Sequence, residues 1–327
     1  MKDRILELLR QESGYLSGQE MSTLLGVSRA AVWKAVEALR KEGYTIDSAP
    51  NRGYHLDAPT GRLSAREIAA RLDGHPWAEL VQVLDSVDST NNLAKTLAAQ
   101  GAPAGTVIVA DSQTGGRGRM GRSFVSPPGV GVYLSVILRP EAPPEELMHL
   151  TCAVAEVLCD GIEVASGLRP GIKWTNDLVS GGRKLCGILT ELSLEAESGH
   201  VQYAVVGAGG NCDQTLSDFP PEIRDMAGSL SMLTGKAVSR NTLAAEMIRA
   251  LSRLDGDLVE NRQEWMDRYR RDCVTIGRAV SVSRAGETRW GQAVDVDDRG
   301  ALLVDFGQGP EAVQSGEVSV RGMYGYV

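Results

Sequence analysis

The sequence lacks the features of a secreted, zinc-stabilised or membrane protein. Its five cysteines are scattered and include no CxxC pair, so we expect reduced thiols in a core rather than disulfides. Its four histidines lie apart from one another and from the cysteines, which argues against a structural zinc site. No apolar run is longer than a strand, and the charged first helix, MKDRILELLR, does not resemble a signal peptide. We therefore expect a cytoplasmic protein without membrane contact.

Excess positive charge is also lacking. The chain has 34 basic and 42 acidic side chains, a net charge of −8, which argues against nucleic-acid binding over the whole surface but leaves room for one DNA-reading module. A GxxxxGK[ST] phosphate loop is absent as well, so any nucleotide chemistry is not of the Walker type. The length of 327 residues allows two or three domains with a sizeable core.

What the sequence does contain is the run GGRGRMGR at residues 115–122, with four glycines, three arginines and no acid. Glycine permits close backbone approach to a ligand, and arginine offers paired donors to carboxylate or phosphate. The run therefore predicts an anion site, and a solvated basic loop is the alternative. Its GxGxxG pattern (Gly116, Gly118, Gly121) is not a dinucleotide fingerprint, because the following SFVSPPG cannot open a helix.

Residues 1–60 predict a winged helix-turn-helix domain. Ser17 and Glu20 form a capping box for a second helix that stops at Gly26, and Ser28 caps a third helix. A two-stranded hairpin follows. The predicted DNA contacts lie on the third helix and the wing; they are Ser28, Arg29, Trp33, Lys34 and Arg52. Because this segment holds eight basic and eight acidic side chains, a protein-docking module is the alternative.

The rest of the chain predicts two further domains and an α+β fold class. After a linker at residues 57–61, residues 64–272 are expected to form an α/β domain whose sheet is mixed, because several links are too short for helical crossovers. Ser64 and Glu67 should cap its first helix, and helical stretches are expected at residues 145–160 and 240–271. Short strands in residues 274–327 predict a small β-barrel.

Four more polar clusters could carry chemistry. The first, DSTNN at residues 88–92, opens a helix, and an ordinary N-cap at Ser89 or Thr90 is the alternative interpretation. The second, KWTND at residues 173–177, lies at the end of a strand, and the third places Lys184 at the start of a strand. The fourth is GAGGN, which ends at Asn211. An acid beside a nucleotide, Asp177, suggests a Mg²⁺ ligand. Each cluster is a weak signal singly.

In this order, together with Gln113 and the glycine-arginine run, these motifs resemble those of biotin protein ligases. The N-terminal domain and the GEVSVR tail at residues 316–321 resemble the bifunctional ligases that also repress the biotin operon. The resemblance implies a central domain of the biotin/lipoate ligase type and an SH3-like C-terminal barrel. It implies that biotin and MgATP give biotinyl-5′-adenylate, and that the biotinyl group passes to a lysine of the biotin carboxyl carrier protein, an acetyl-CoA carboxylase subunit. Operator DNA and a second copy of the liganded chain are further implied partners.

The resemblance also implies residue roles, which overlap. Biotin would contact Ser89, Thr90, Asn91, Gln113, Arg117, Gly118, Arg119 and Lys184. Of these, Lys184, Arg119 and Arg117 would be the catalytic groups. ATP would contact Arg119, Arg122, Asn176, Asp177 and Asn211, and Asp177 would also bind Mg²⁺. The chain departs from the family after Asn211, where Cys212 and Asp213 stand in place of a common second asparagine.

Two other functions compete with this one. Lipoate or octanoate ligases resemble the same catalytic fold, although the arginine-rich loop argues against them. A non-catalytic, biotin-sensing DNA-binding regulator is the other alternative. The presence of Lys184 and all three loop arginines argues against such a loss of catalysis.

Overall fold

The computed structural model of the chain describes residues 1–11, 14–41, 44, 46–49, 52–56, 61–195, 197–284, 287–314 and 319–322. The chain forms two compact units, Met1–Arg62 and Leu63–Val327. None of the helices in these described ranges is long and apolar enough to cross a membrane. Most of the predicted linker, residues 57–60, lies outside the described residues.

The described residues of the first unit form three helices and a hairpin: α1 (Lys2–Gln11), α2 (Gly18–Leu25), α3 (Arg29–Lys41), β1 (Ile46–Ala49) and β2 (Gly53–Leu56). The predicted capping box is confirmed, because Ser17 Oγ accepts from Glu20 N and the Glu20 carboxylate accepts from Ser17 N. Gly26 ends α2 in the left-handed region at φ 65°. The predicted helix-turn-helix and its hairpin are thus confirmed, with wing-tip residues 50 and 51 outside the described part.

A seven-stranded sheet forms the centre of the second unit, in the order β3-β4-β5-β9-β8-β7-β6. Its strands are β3 (Val81–Leu84), β4 (Val107–Ala110), β5 (Gly131–Leu138), β6 (Gly171–Lys173), β7 (Asp177–Ser180), β8 (Arg183–Leu194) and β9 (Val201–Asn211). Strands β3 and β4 pair in parallel and the other neighbours are antiparallel. The prediction of a mixed sheet is confirmed.

The helices of this unit are α4 (Ala65–Leu72), α5 (Thr90–Ala99), α6 (Leu150–Ser166), α7 (Leu230–Thr234), α8 (Arg240–Ser252) and α9 (Arg262–Asp272). The helix predicted at residues 145–160 is confirmed but is shifted: the segment around Pro144 forms a short 3₁₀ turn, and α6 begins at Leu150 and ends at Ser166. The helical stretch at 240–271 is two helices, separated by a turn that contains Gly256 at φ 91°.

The predicted cap at the start of α4 is confirmed only in half. Ser64 Oγ accepts from Glu67 N, but Ser64 N donates to Asn241 Oδ1 at 2.9 Å. The Glu67 carboxylate cannot reach back because Asn241 and Arg71 donate to it. A capping pattern in sequence is therefore redirected by a tertiary contact with α8.

The C-terminal part of the second unit is a five-stranded antiparallel sheet in the order β13-β12-β11-β10-β14. Its strands are β10 (Ala279–Arg284), β11 (Glu287–Val296), β12 (Leu302–Asp305), β13 (Pro310–Val313) and β14 (Ser319–Gly322). Closure into an SH3-like barrel stays a prediction, and residues 316–318 of the GEVSVR tail lie outside the described part.

The C-terminal sheet is joined to the wall of the central domain through Trp174. The Trp174 indole donates to Gly300 O at 3.0 Å, and Trp174 N donates to Thr275 Oγ1 at 2.9 Å.

All five cysteines are free and buried, as the sequence predicts. Burial raises the pKa of the Cys186 thiol to about 12, which suits inert core thiols.

Candidate active site

A cavity of about 450 Å³ opens over strands β5, β8 and β9 and beneath the glycine-arginine loop. This volume is typical of small-molecule sites. Eleven of the twelve predicted biotin, ATP and catalytic residues line it. They are Ser89, Thr90, Asn91, Gln113, Arg117, Gly118, Arg119, Arg122, Asn176, Asp177 and Lys184.

Asn211 is the twelfth, and its side chain does not line the cavity. It is buried and donates through Nδ2 to Lys184 O at 3.3 Å and to Gly228 O at 2.9 Å. Lys184 N in turn donates to Met226 O at 2.7 Å. The geometry therefore gives Asn211 a part in fixing the backbone of Lys184, and it gives no support for a direct nucleotide contact.

The start of α5 is capped by Gln113 rather than by its own N-terminal hydroxyls. Ser89 occupies the N-cap position without a side-chain cap, whereas Gln113 Oε1 accepts from Thr90 N at 2.9 Å and from Thr90 Oγ1 at 3.2 Å. The predicted N-cap position at Ser89 is confirmed, but the Ser89 side chain makes no capping hydrogen bond. The Gln113 amide is itself held, because its Nε2 donates to Ser126 Oγ at 2.8 Å.

Buried polar side chains continue from this cap across the floor of the cavity. Ser135 Oγ of β5 donates to Asn91 Oδ1 at 2.6 Å and lies 2.8 Å from Thr90 Oγ1. Asn91 Nδ2 donates to Leu189 O at 3.3 Å and to Glu191 Oε2 at 2.9 Å, both on β8. The orientation of the Asn91 amide is therefore set by a donor on one side and acceptors on the other.

The glycine-arginine loop is built largely by its own backbone. Gly118 N donates to Arg122 O at 2.7 Å, and Phe124 N donates to Gly116 O at 2.8 Å. Among its glycines, Gly121 has a positive φ of 73°, and Gly116 leaves no room for a side chain, since a Cβ would lie 2.3 Å from Phe124 O. The predicted need for glycine thus has two causes, one conformational and one steric.

Positive side chains converge at the other end of the cavity. Arg119 Nη1 donates to Asn176 Oδ1 at 2.8 Å, and Lys184 Nζ lies 2.6 Å from Asp177 Oδ1. Burial lowers the pKa of the Arg119 guanidinium; Asp177 opposes this shift and Arg122 adds to it. Cations held close together away from bulk water favour the binding of an anion.

A metal site made by the protein alone has no support in the described ranges, since no three His, Cys, Asp or Glu side chains there form a group that could hold an ion. Asp177 is a single carboxylate facing the cavity beside Lys184. Mg²⁺ commonly binds through one or two carboxylates together with substrate phosphates. The donor set therefore suits Mg²⁺ only in the presence of a nucleotide.

Glycines on β8 and β9 make room for the side chains above them. A Cβ at Gly209 would lie 2.5 Å from the Phe124 ring, one at Gly187 would lie 2.9 Å from Lys184 Nζ, and one at Gly207 would lie 2.0 Å from Asn91 Oδ1. Two glycines of the GAGGN motif, Gly207 and Gly209, are explained by these close approaches rather than by φ.

Replacing Gly207 with alanine should displace Asn91 and break its bonds to Ser135 and Glu191. We expect a loss of about 2 kcal/mol in the free energy of unfolding and at least a tenfold weaker affinity for the ligand of this cavity, on the order of one lost charged hydrogen bond. Gly210→Ala is the matched control, because its Cβ would meet no atom closer than 3.7 Å. Equal affinities for the two variants, measured by calorimetry, would contradict this role of Asn91.

The first unit presents its predicted DNA contacts to solvent. Arg29, Trp33 and Lys34 are exposed on α3, and Trp33 is 53% exposed. Ser28 Oγ accepts from Ala31 N at 3.2 Å, so it also caps α3. On the wing, the Arg52 guanidinium lies 4.4 Å from the centre of the Tyr15 ring. Their role as DNA contacts stays a prediction.

Comparison with known proteins agrees with the description of the cavity and with that of the N-terminal unit. Residues 83–211 match the Biotin/lipoate A/B protein ligase family, residues 2–55 match an HTH domain, and residues 275–321 match the Biotin protein ligase C terminal domain. The chain is 35% identical to the Bifunctional ligase/repressor BirA of Bacillus subtilis, over 98% of each chain. The chain belongs to the biotin protein ligase family.

Other relatives extend the match. The Bifunctional ligase/repressor BirA of Escherichia coli is 31% identical over 98% of this chain and 99% of its own. Among solved structures, the biotin protein ligase from Aquifex aeolicus in complex with biotin and ATP superposes with a TM-score of 0.64 at 28% identity, covering 74% of this chain and 98% of that one.

In this biotin protein ligase, several cavity residues escaped the sequence prediction. Phe124 lines the cavity, and Ser135 and Glu191 support Asn91. Trp174, which belongs to the KWTND cluster but was given no role, also lines the cavity. One signal was available: Ser135 is the one serine in the strand GVYLSVIL, whose other side chains are apolar apart from Tyr133. A buried polar residue of that kind needs a hydrogen-bond partner.

Proposed function

We propose that the chain joins biotin to ATP to give biotinyl-5′-adenylate and pyrophosphate, and then transfers the biotinyl group to a lysine of a biotin carboxyl carrier protein. One observation carries the proposal: a floor of oriented amide and hydroxyl groups and a set of cations line the same cavity. A ligand that is neutral and hydrogen-bonding at one end and anionic at the other fits both.

The floor suits the ureido ring of biotin, which offers N–H donors and one carbonyl acceptor. The groups that would meet it are Ser89, Thr90, Asn91 and Gln113. The hydrogen bonds among Gln113, Thr90, Ser135 and Asn91 hold these groups in place before any ligand arrives. Preorganisation of this kind raises affinity because less ordering is left for the binding step.

In the first step, a carboxylate oxygen of biotin attacks the α-phosphorus of ATP; the new O–P bond forms as the bond to pyrophosphate breaks. Two anions must approach, and Arg117, Gly118 and Arg119 would hold the carboxylate and the phosphate together. Lys184 would stabilise the charge that develops on the phosphate oxygens. Arg122 and Asn176 would contact the nucleotide, and Asp177 would hold Mg²⁺, which supplies further charge neutralisation when bound.

In the second step, the amine of the acceptor lysine attacks the acyl carbon and AMP leaves. The mixed anhydride hydrolyses in water, so the glycine-arginine loop would cover it until the acceptor arrives. Met120 in that loop is 59% exposed, and Arg119 beside it is half-buried and lines the cavity. One loop then both binds the intermediate and excludes solvent.

Titration calorimetry with biotin and with lipoate tests the substrate. We expect biotin, but not lipoate, to bind with high affinity. We also expect biotin, but not lipoate, to support release of pyrophosphate from ATP. Tighter binding of lipoate would favour the lipoate or octanoate ligases instead. Biotin binding without pyrophosphate release would favour a sensor that has lost catalysis.

The N-terminal unit supports a second activity, repression at an operator in response to biotin. We propose that the liganded protein acts in the cytoplasm as a homodimer, because a two-fold symmetric operator pairs with a two-fold symmetric protein. Affinity for such an operator should rise with biotin and ATP and should fall steeply with salt. A flat response to both would refute regulation.

Arg52→Ala tests the wing. A side chain that contacts phosphate should reduce affinity about equally on all sequences and lower the slope of log K against log salt by about 1. The probe is a duplex selected by the protein itself from a random library, measured by fluorescence anisotropy at several salt concentrations. Arg62→Ala, in the same unit but outside the helix-turn-helix, is the control. An unchanged salt slope would remove Arg52 from the DNA interface.

A further inference from the structure

Glu191 on β8 has no part in the proposed reaction steps, yet it joins three elements around the cavity. Its Oε1 accepts from Lys95 Nζ at 2.8 Å and from Arg117 Nη1 at 3.4 Å, and its Oε2 accepts from Asn91 Nδ2 at 2.9 Å. Its side chain is 24% exposed. Burial raises the pKa of Glu191, but the hydrogen bonds from Lys95 and Asn91 outweigh it and hold the pKa below the ordinary value.

The partners of Glu191 fix which group this position needs. All three are donors, and two of them, Lys95 and Arg117, carry positive charge. Only an ionised carboxylate accepts at both oxygens, whereas an amide would turn its own NH₂ toward a donor. A neutral group here would also leave Lys95 and Arg117 without the charge that lies between them.

Arg117 is held at one nitrogen. Its Nη1 donates both to Glu191 Oε1 and, at 3.0 Å, to Asn92 Oδ1 at the start of α5. Asn92 is itself fixed, because its Nδ2 donates to Asp88 Oδ2 at 2.8 Å. Arg117 also lines the cavity. Anchoring through one nitrogen leaves the rest of the forked guanidinium to meet a ligand.

We propose that Glu191 is a positioning residue for biotin, one that aligns Arg117 toward the carboxylate and Asn91 toward the head group at the same time. This inference rests on the proposed function. Arg117 comes from the glycine-arginine loop and Asn91 from α5, so Glu191 sets the distance between the two ends of the ligand site. A fixed distance between Arg117 and Asn91 favours a ligand whose carboxylate and ring are separated by a matching distance.

A double-mutant cycle tests the role. Glu191→Gln should weaken biotin binding about tenfold and raise KM for biotin with kcat within about twofold. In an Arg117→Ala background the same change should cost less than about threefold, through Asn91 alone. Glu197→Gln, which removes one charge from the exposed turn after β8, should leave biotin binding unchanged.

Equal losses from Glu191→Gln in the two backgrounds would overturn the positioning role, because a general loosening of β8 does not depend on Arg117. Asn92→Ala provides a second cycle if the first variant does not fold: it should weaken biotin binding about threefold with Arg117 present and not at all without it. A wild-type protein that does not bind biotin would overturn the proposed function as well as this inference. A wild-type protein that binds biotin with additive cycles would overturn the inference alone.

Discussion

Replacing Lys184 with glutamine is expected to lower the rate constant of adenylate formation about a thousandfold. The ammonium lies in the cavity, 2.6 Å from Asp177 Oδ1, on a strand whose backbone is held by Met226 and Asn211. It therefore offers a fixed positive charge where negative charge develops on the phosphate oxygens. Glutamine keeps a polar end group but removes the charge, and its side chain is one bond shorter than that of lysine. Single-turnover release of pyrophosphate measures the effect.

The pattern of losses separates catalysis from binding. Because the charge acts most strongly in the transition state, Lys184→Gln should weaken biotin binding far less than it slows the reaction. Lys236→Gln, an exposed lysine in the turn after α7, should change neither. A reaction slowed less than about tenfold by Lys184→Gln would remove Lys184 from the catalytic groups.

Replacing Arg119 with alanine is expected to shorten the half-life of the adenylate on the protein about a hundredfold. Arg119 Nη1 donates to Asn176 Oδ1 at 2.8 Å, and the half-buried Arg119 side chain lines the cavity. A forked donor in this position holds the acyl and phosphate oxygens of one molecule together. Its loss should also remove part of the cover against water.

Release can be followed with labelled biotin, by filtration of the protein after adenylate has formed. Arg299→Ala, an exposed arginine of the C-terminal sheet, is the control with the same change in charge. Equal retention of the label by the two variants would contradict the clamp formed by Arg119. Faster loss in the Arg119 variant, with free biotin and AMP as the products of adenylate hydrolysis, would support it.

Local patterns in the sequence predicted the N-terminal unit well because its signals are short-range. The capping box of Ser17 and Glu20 and the left-handed Gly26 involve residues a few positions apart. The same reasoning did less well where a distant side chain competes. Thr90 is capped by Gln113, 23 residues away, and the amide of Ser64 is taken by Asn241.

The candidate site divides in the same way. Residues with an unusual local composition, such as Arg117, Arg119, Arg122 and Lys184, were predicted and do line the cavity. Glu191 was missed because nothing in the local sequence GILTELSL indicates that its side chain contacts Asn91 and Arg117. Asn211 was placed in the site by its motif, but its contacts run to the backbone beneath Lys184. Whether such a side chain points toward the cavity or away from it depends on the register of the strands, which local sequence patterns do not give.

Transfer of biotin to a carrier domain is the most direct test of the central claim. The full chain is mixed with biotin, ATP, Mg²⁺ and a biotin carboxyl carrier domain, and the carrier is weighed by mass spectrometry. The account predicts one biotinyl group on one lysine of the carrier, formed only when ATP is present and lost in the Lys184→Gln variant. A carrier whose mass does not change with the wild-type protein would contradict it.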